Sequence, residues 1–298
     1  MSDHSTIATA DVVESFVASL HQHSVPENTI KSYKHDLHLF VQAVPADLAA
    51  VTPEWIQTFL TSNQHHSIAT RRRRYGALCT FYRWLLRNQV LNTNPMEHID
   101  AIEEPHREPR PLDPAVVAKI LQAIPDSNLR DRTLFTLLYE TGIRVGEALG
   151  LFATDVDLSI NDEKIRVLGK GQRERIVMLT AAPESIRLLQ CHLKQSHIAS
   201  GPIFRGNHHH GTSPLPLEYS VAHYAWQKYC KIAGVQATIH QLRHSRASQL
   251  LQAGVPLTTI CKQLGYRNIQ SMLLYLEVDQ ATIKQDLLNY QQPKGRQQ

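Results

Sequence analysis

Four short segments carry side chains whose types and order suit the making and breaking of a phosphodiester bond. Thr141–Leu149 (TGIRVGEAL) places Arg144 three residues before Glu147, so a helix starting there sets guanidinium and carboxylate on one face. Gly169-Lys170-Gly171 holds a lysine at a tight turn, and His240–His244 (HQLRH) projects His240 and Arg243 from adjacent helical turns toward one point. Leu264–Val278 (LGYRNIQSMLLYLEV) adds two tyrosines, Tyr266 and Tyr275. Attack on a phosphodiester loads negative charge onto its nonbridging oxygens, and two guanidiniums, Arg144 and Arg243, bind such oxygens bidentately without a metal. A tyrosine with an ordinary pKa of about 10 is a poor nucleophile at neutral pH and needs a proton acceptor or positive surroundings. His240 beside two arginines offers both. The departing 5′-hydroxyl needs a proton, and Lys170 on a hairpin tip is placed to be the general acid. Singly, each segment has a plainer account: an i,i+3 ion pair, a solvated turn lysine, a surface cluster, two core tyrosines. Their combination is what points to one reaction.

The elements that must position these residues can be read from the same chain. Glu103–Pro114 (EEPHREPRPLDP) carries four prolines among alternating charges, which neither a helix nor a central strand tolerates. It divides an N-terminal helical domain, 1–102, from a domain spanning 114–298, with 103–113 as linker. Asp113 and Pro114 form an N-cap and first helical position for a helix with Val116, Val117, Ile120 and Leu121. In the first domain, Ile30, Tyr33, Leu37, Phe40 and Val41, and again Tyr75, Leu78, Phe81, Tyr82, Leu85 and Leu86, recur at helical spacing. In the second, β-branched alternation in KIRVL and RERIVM around Gly169–Gly171 predicts a small antiparallel sheet with a tight hairpin, and helical spacing resumes from about Ala182 to the end. The fold class is therefore mainly α with a small antiparallel β-sheet (α+β) in the second domain.

At 298 residues, 42% hydrophobic and 19% charged, the chain is expected to fold with ordinary cores. It has no apolar run long enough to span a membrane and no signal-peptide pattern, so a cytoplasmic location is expected. The cysteines Cys79, Cys191, Cys230 and Cys261 form no CxxC pair and are expected to be reduced and mostly buried. The formal net charge of +4 is unevenly spread: residues 1–102 sum to −1 and 103–298 to +5. Even so, six of the first domain's eight lysines and arginines fall between Arg71 and Arg87. Arg71, Arg72, Arg73 and Arg74 spread round one helical turn. A solvated helix face accounts for them; contact of two of the four with DNA phosphates is the sharper expectation. The run His208–His210 sits in a glycine-flanked loop and is not expected to hold a metal.

The order TGIRVGEAL, GKG, HQLRH, LGYRN and Tyr275, with SIATRRRRYGALCTFYRWLL ahead of the linker, resembles the phage-integrase family of tyrosine recombinases, in an Xer-like layout. The resemblance covers nearly the whole chain. It implies a two-domain, C-shaped clamp round double-stranded DNA. It implies cleavage through a 3′-phosphotyrosine without metal or other cofactor, and strand exchange through a Holliday junction. The expected assembly is a homotetramer with a dimer per site, or one including a paralogue or accessory proteins. Carried over by position, the catalytic set is Arg144, Lys170, His240, Arg243 and the nucleophile Tyr275, which lies nine residues after Tyr266, the family's usual offset. Tyr266 itself stands where the family has histidine or sometimes tryptophan; it is expected to donate to the phosphate, and it is a second candidate for the nucleophile, with Tyr275 favoured by the offset. LLYLEV around Tyr275 lacks the family's flanking threonine and histidine. The segment IKQDLLNYQQ corresponds to a C-terminal helix that, in the family, docks on a neighbouring protomer. A silent DNA-binding relative and a type IB topoisomerase-like nicking-closing enzyme are the competing expectations.

Overall fold

The computed structural model describes residues 9–23, 25–45, 47–62, 67–103, 111–169, 173–206 and 215–266. It divides into two compact units, 1–106 and 107–298.

The first unit contains the helices α1 (Thr9–Gln22), α2 (Glu27–Ala43), α3 (Pro53–Thr61) and α4 (Ile68–Arg87). Proline at the first position opens α3, and the Ser67 hydroxyl accepts the Thr70 N–H at 3.2 Å to cap α4. The expected apolar stripes face inward: Ile30, Leu37 and Phe40 of α2 and Leu78, Phe81, Tyr82 and Leu85 of α4 are buried against Val13 and Phe16 of α1 and Ile56 of α3. Rings meet edge to face, Phe16 with Phe81 at 5.3 Å and Phe40 with Phe59 at 5.2 Å.

The second unit opens with α5 (Pro114–Gln122), whose N-cap Asp113 accepts the Ala115 N–H at 2.7 Å. Then come α6 (Leu129–Thr141), α7 (Val145–Leu149), β1 (Val156–Asp157), β2 (Lys164–Gly169), β3 (Arg173–Met178), α8 (Pro183–Gln195), α9 (Tyr219–Ile232), α10 (Ile239–Gln252) and α11 (Leu257–Leu264). The hairpin expected around Gly169–Gly171 is present as β2 and β3, extended by the short β1 into an antiparallel sheet of order β1-β2-β3. Ile165, Val167 and Val177 on its inner face join a core with Leu134, Phe135, Leu138 and Trp226. Helix α6 lies at the centre, packed on α8 and α10.

Helical spacing does not run on without a break after Ala182. Residues 196–206 and 215–218 form no helix; Pro202 and Pro216 enter isolated bridges with Phe152 and Arg205, and Gly201 has φ 82°. The four cysteines form no disulfide; Cys230 is buried, whereas Cys79, Cys191 and Cys261 are half-buried, contrary to the expectation that most are buried. Among the described residues, no helix is long and apolar enough to cross a membrane. The last residues before α5 are fixed to the second unit: the Leu112 N–H donates to the Ser245 hydroxyl on α10 at 2.8 Å.

Candidate active site

Helix α6 ends at Gly142, which adopts φ 68°; a Cβ there would clash with the Leu264 side chain. The chain then turns through Arg144 into α7. Glu147, buried with 4% of its side chain exposed, takes the Arg144 backbone N–H at 2.8 Å and Arg144 Nη1 at 3.0 Å. The anticipated i,i+3 pair therefore exists, but it is half of a larger arrangement. Arg175 of β3 grips the same carboxylate bidentately, Nη1 to Oε1 at 2.8 Å and Nη2 to Oε2 at 2.9 Å. Burial alone would raise the Glu147 pKa. The hydrogen bonds from Arg175 and the Arg144 backbone, with the two positive charges, outweigh it and hold the carboxyl below its ordinary 4.5. Arg144 also donates from Nη2 to the Gly265 carbonyl at 3.3 Å, and its side chain remains 41% exposed. It is held from behind and open in front.

Arg243, in the second turn of α10, is only 3% exposed. Its Nη1 donates to the Gly142 carbonyl at 2.7 Å, while Nη2 is buried with no hydrogen-bond acceptor among the described residues. Its guanidinium carbon lies 4.4 Å from the centroid of the Tyr266 ring, a cation–π contact. Burial lowers the Arg243 pKa, yet an arginine remains charged across the physiological range. A buried charge with an unsatisfied donor is costly unless an anion completes it.

His240 lies in the first turn of α10, where Gln241 Oε1 accepts the Thr238 N–H at 2.8 Å. The ring is open to solvent on one side, but shielding by protein, then the charges of Arg243 and Arg144, keep its pKa below 6.5. It is therefore neutral at physiological pH and able to accept a proton. His244, one turn on, meets it edge to face at 4.5 Å and is itself held down to about 4 by burial and by the neighbouring His240 and Arg243.

Arg144, His240, Arg243 and Tyr266 are thus brought to one place by α7, α10 and the end of α11. Lys170 at the hairpin tip, Tyr275 with the C-terminal segment, and His208–His210 lie outside the described residues. Sequence reasoning missed Arg175. The signal was there: alternation along β3 puts residue 175 on the same inner face as Val177, opposite Val167, where an unpaired charge is not tolerated.

The four arginines of α4 do not behave as one patch. Arg74 is 5% exposed, lies over the Phe59 ring at 5.2 Å and has Nε 3.5 Å from the buried Asp36 carboxylate. Arg73 hydrogen-bonds the same carboxylate and the Ser32 carbonyl. Arg74 is therefore withdrawn from the expected DNA contacts, because its charge is spent inside the first unit. Arg72 is exposed and Arg71 half-buried.

A family model described as the phage integrase family matches residues 110–282, and one described as the phage integrase N-terminal SAM-like domain matches 13–89. The chain is 27% identical over 293 residues to the tyrosine recombinase XerD of Yersinia pestis, covering 92% of this chain and 95% of that protein. To the XerD of Lacticaseibacillus casei it is 30% identical over 270 residues, covering 85% and 89%. In fold it is similar to the XerH site-specific recombinase solved on a palindromic difH substrate as a post-cleavage complex, with TM-score 0.70, 22% identity, and coverage of 88% and 80%. With the integrase model spanning more than half its length and recombinases aligned along nearly all of it, the chain belongs to the phage integrase family of tyrosine recombinases.

Proposed function

We propose that this protein is a site-specific DNA recombinase in which residues 1–102 bind the DNA core, 103–113 link, and 114–298 catalyse. Arg144 and Arg243 hold the scissile phosphate between them. The observation that carries this is the Arg243 guanidinium, buried beside Arg144 with its Nη2 lacking an acceptor among the described residues. A phosphate oxygen supplies that acceptor and offsets the desolvation of the charge. Neutral His240 takes the phenolic proton as the Tyr275 oxygen bonds to phosphorus. The P–O5′ bond breaks, and Lys170 delivers a proton to the leaving 5′-oxygen, which departs as the 5′-hydroxyl. Attack on the 3′-phosphotyrosine by the 5′-hydroxyl of a partner strand reverses these steps and gives a Holliday junction. Tyr266, its face against Arg243, holds that guanidinium toward the phosphate. The assembly is a dimer on each site and a tetramer on paired sites, as a homotetramer or with a paralogue. Filled positions at Arg144, Lys170, His240, Arg243 and Tyr275 favour activity over a silent DNA-binding role.

The test is incubation in EDTA with a nicked duplex that traps the cleaved strand, its sequence recovered by selecting covalently captured DNA from a random library. A denaturing gel and peptide mapping should place the adduct on Tyr275, and Tyr275→Phe should bind without forming it. An adduct on Tyr266 overturns the nucleophile assignment. Library duplexes that are retained by the protein but never captured covalently overturn the recombinase itself.

A further inference from the structure

We propose that Arg175 is a positioning residue of the phosphate clamp: by neutralising Glu147 it keeps Arg144 available to substrate, and it fastens strand β3 to α7 and the end of α11. The inference rests on the recombinase reading above.

Glu147 is a buried carboxylate facing two guanidiniums. If Arg144 were its sole counter-charge, the pair would close on itself, since a buried carboxylate binds a lone cation tightly. Substrate phosphate would then compete with Glu147 for Arg144. The bidentate grip of Arg175 changes that balance. Both carboxylate oxygens are already engaged, and Arg144 makes one side-chain hydrogen bond to them while remaining 41% exposed.

Arg175 also acts as a strut. Its Nε donates to the Gln263 carbonyl at 3.3 Å, and the Gln263 side chain pairs with the Met178 backbone through contacts of 3.2 Å from the Met178 N–H and 2.7 Å to the Met178 carbonyl. Gly265, at φ 72°, leaves room for this: a Cβ there would lie 2.7 Å from the Arg175 guanidinium carbon. The Gly265 carbonyl in turn accepts Arg144 Nη2, and Tyr266 follows directly. One side chain thus ties the β2–β3 pair to the loop bearing Arg144 and to the residues just before Tyr266.

A residue that only stabilised the fold would respond to charge removal at Glu147 differently from one that protects Arg144, and this separates the two. The probe is the duplex selected by the wild-type chain, with adduct rate, duplex affinity and melting temperature measured together. Arg175→Gln should slow adduct formation by about 30-fold or more while affinity changes less than about threefold, since electrostatic alignment matters most in the transition state. Arg175→Lys should recover only part of the loss, because an ammonium cannot reproduce the two-pronged contact. Adding Glu147→Gln to Arg175→Gln should restore the rate by about tenfold relative to the single variant, because the carboxylate that captures Arg144 is gone. If Arg175→Gln proves too unstable to purify, the neutral double variant decides against a Glu147→Gln control: it should cleave within about threefold of that control. Arg175→Gln cleaving like wild type, a double variant no faster than Arg175→Gln, or one far slower than Glu147→Gln overturns the proposal. A wild-type chain that retains library duplexes but captures none of them covalently removes the recombinase reading, and this inference with it.

Discussion

Each unit of the molecule buries a carboxylate between two arginines, and the two solutions differ. In the first, Asp36 faces Arg73 and Arg74, but Asp36 Oδ1 and Arg74 Nε are both buried without a hydrogen bond among the described residues, and desolvation outweighs both arginines so that the Asp36 pKa is raised. In the second, Glu147 accepts two hydrogen bonds from Arg175, one from the Arg144 side chain and one from the Arg144 backbone, and its pKa is lowered. Composition is the same and geometry decides. A two-pronged guanidinium with a backbone donor makes a buried carboxylate a good anion; an incomplete set leaves it strained toward protonation. Each cluster largely buries one guanidinium and leaves the other partly exposed, Arg73 at 37% and Arg144 at 41%; only in the Glu147 cluster does the more buried partner engage both carboxylate oxygens.

The largest test of this contrast is deletion of each carboxylate. Glu147→Ala should destabilise the chain by about 3–5 kcal/mol, because two partly buried cations lose their anion, and Asp36→Ala by at least about 1 kcal/mol less. Urea denaturation measures both, and equal losses would erase the distinction. Next, Gly142→Ala should cost about 1–3 kcal/mol through the left-handed backbone and the Leu264 contact, read from the same urea curves. Made in a Leu264→Ala background, Gly142→Ala should cost less than it does in the wild-type chain.

The two carboxylates should also answer acid in opposite directions. Glu147 has a folded-state pKa below 4.5, so its contribution is complete above that value and is lost as pH falls through the lower one. Asp36 has a folded-state pKa above 3.8, so the native state takes the proton first and gains stability as pH falls toward 3.8. Glu147→Gln should therefore flatten an acid loss and Asp36→Asn an acid gain, in stability measured from pH 7 to 4. His244 deepens the loss: with its folded-state pKa near 4 against an ordinary 6.5, the unfolded chain binds its proton first as pH drops. The smallest effect is on DNA affinity in the first unit. Arg72→Ala should weaken binding by about 1 kcal/mol and reduce the salt slope by about one, whereas Arg74→Ala should lower stability and leave that slope unchanged. Salt-titrated binding of the selected duplex distinguishes them.

Much of this was legible in the sequence where local rules govern. The Asp113–Pro114 helix start, the hairpin around Gly169–Gly171 and the buried stripes of α2 and α4 follow from capping, turn chemistry and period. The pairing of Arg144 with Glu147 was visible for the same reason, being three residues apart on one helix. The third partner was not, because Arg175 is 28 residues away and reaches Glu147 only once β3 has paired with β2. Arg74 misled in the opposite sense. A run of four arginines looks like surface, and only the tertiary placement of Asp36 draws one of them inside.

The Leu112–Ser245 hydrogen bond has a practical consequence for dissecting the chain. Ser245 lies two residues after Arg243 on α10, and its hydroxyl donates to the Gln241 carbonyl while receiving the Leu112 N–H. A fragment begun at Pro114 would discard that donor together with the Leu112 side chain, which packs on the core of the second unit. The helix carrying His240 and Arg243 would lose a tether from outside its own sequence. Begun at Pro111, the fragment keeps both, so the second unit begins a few residues ahead of its first helix.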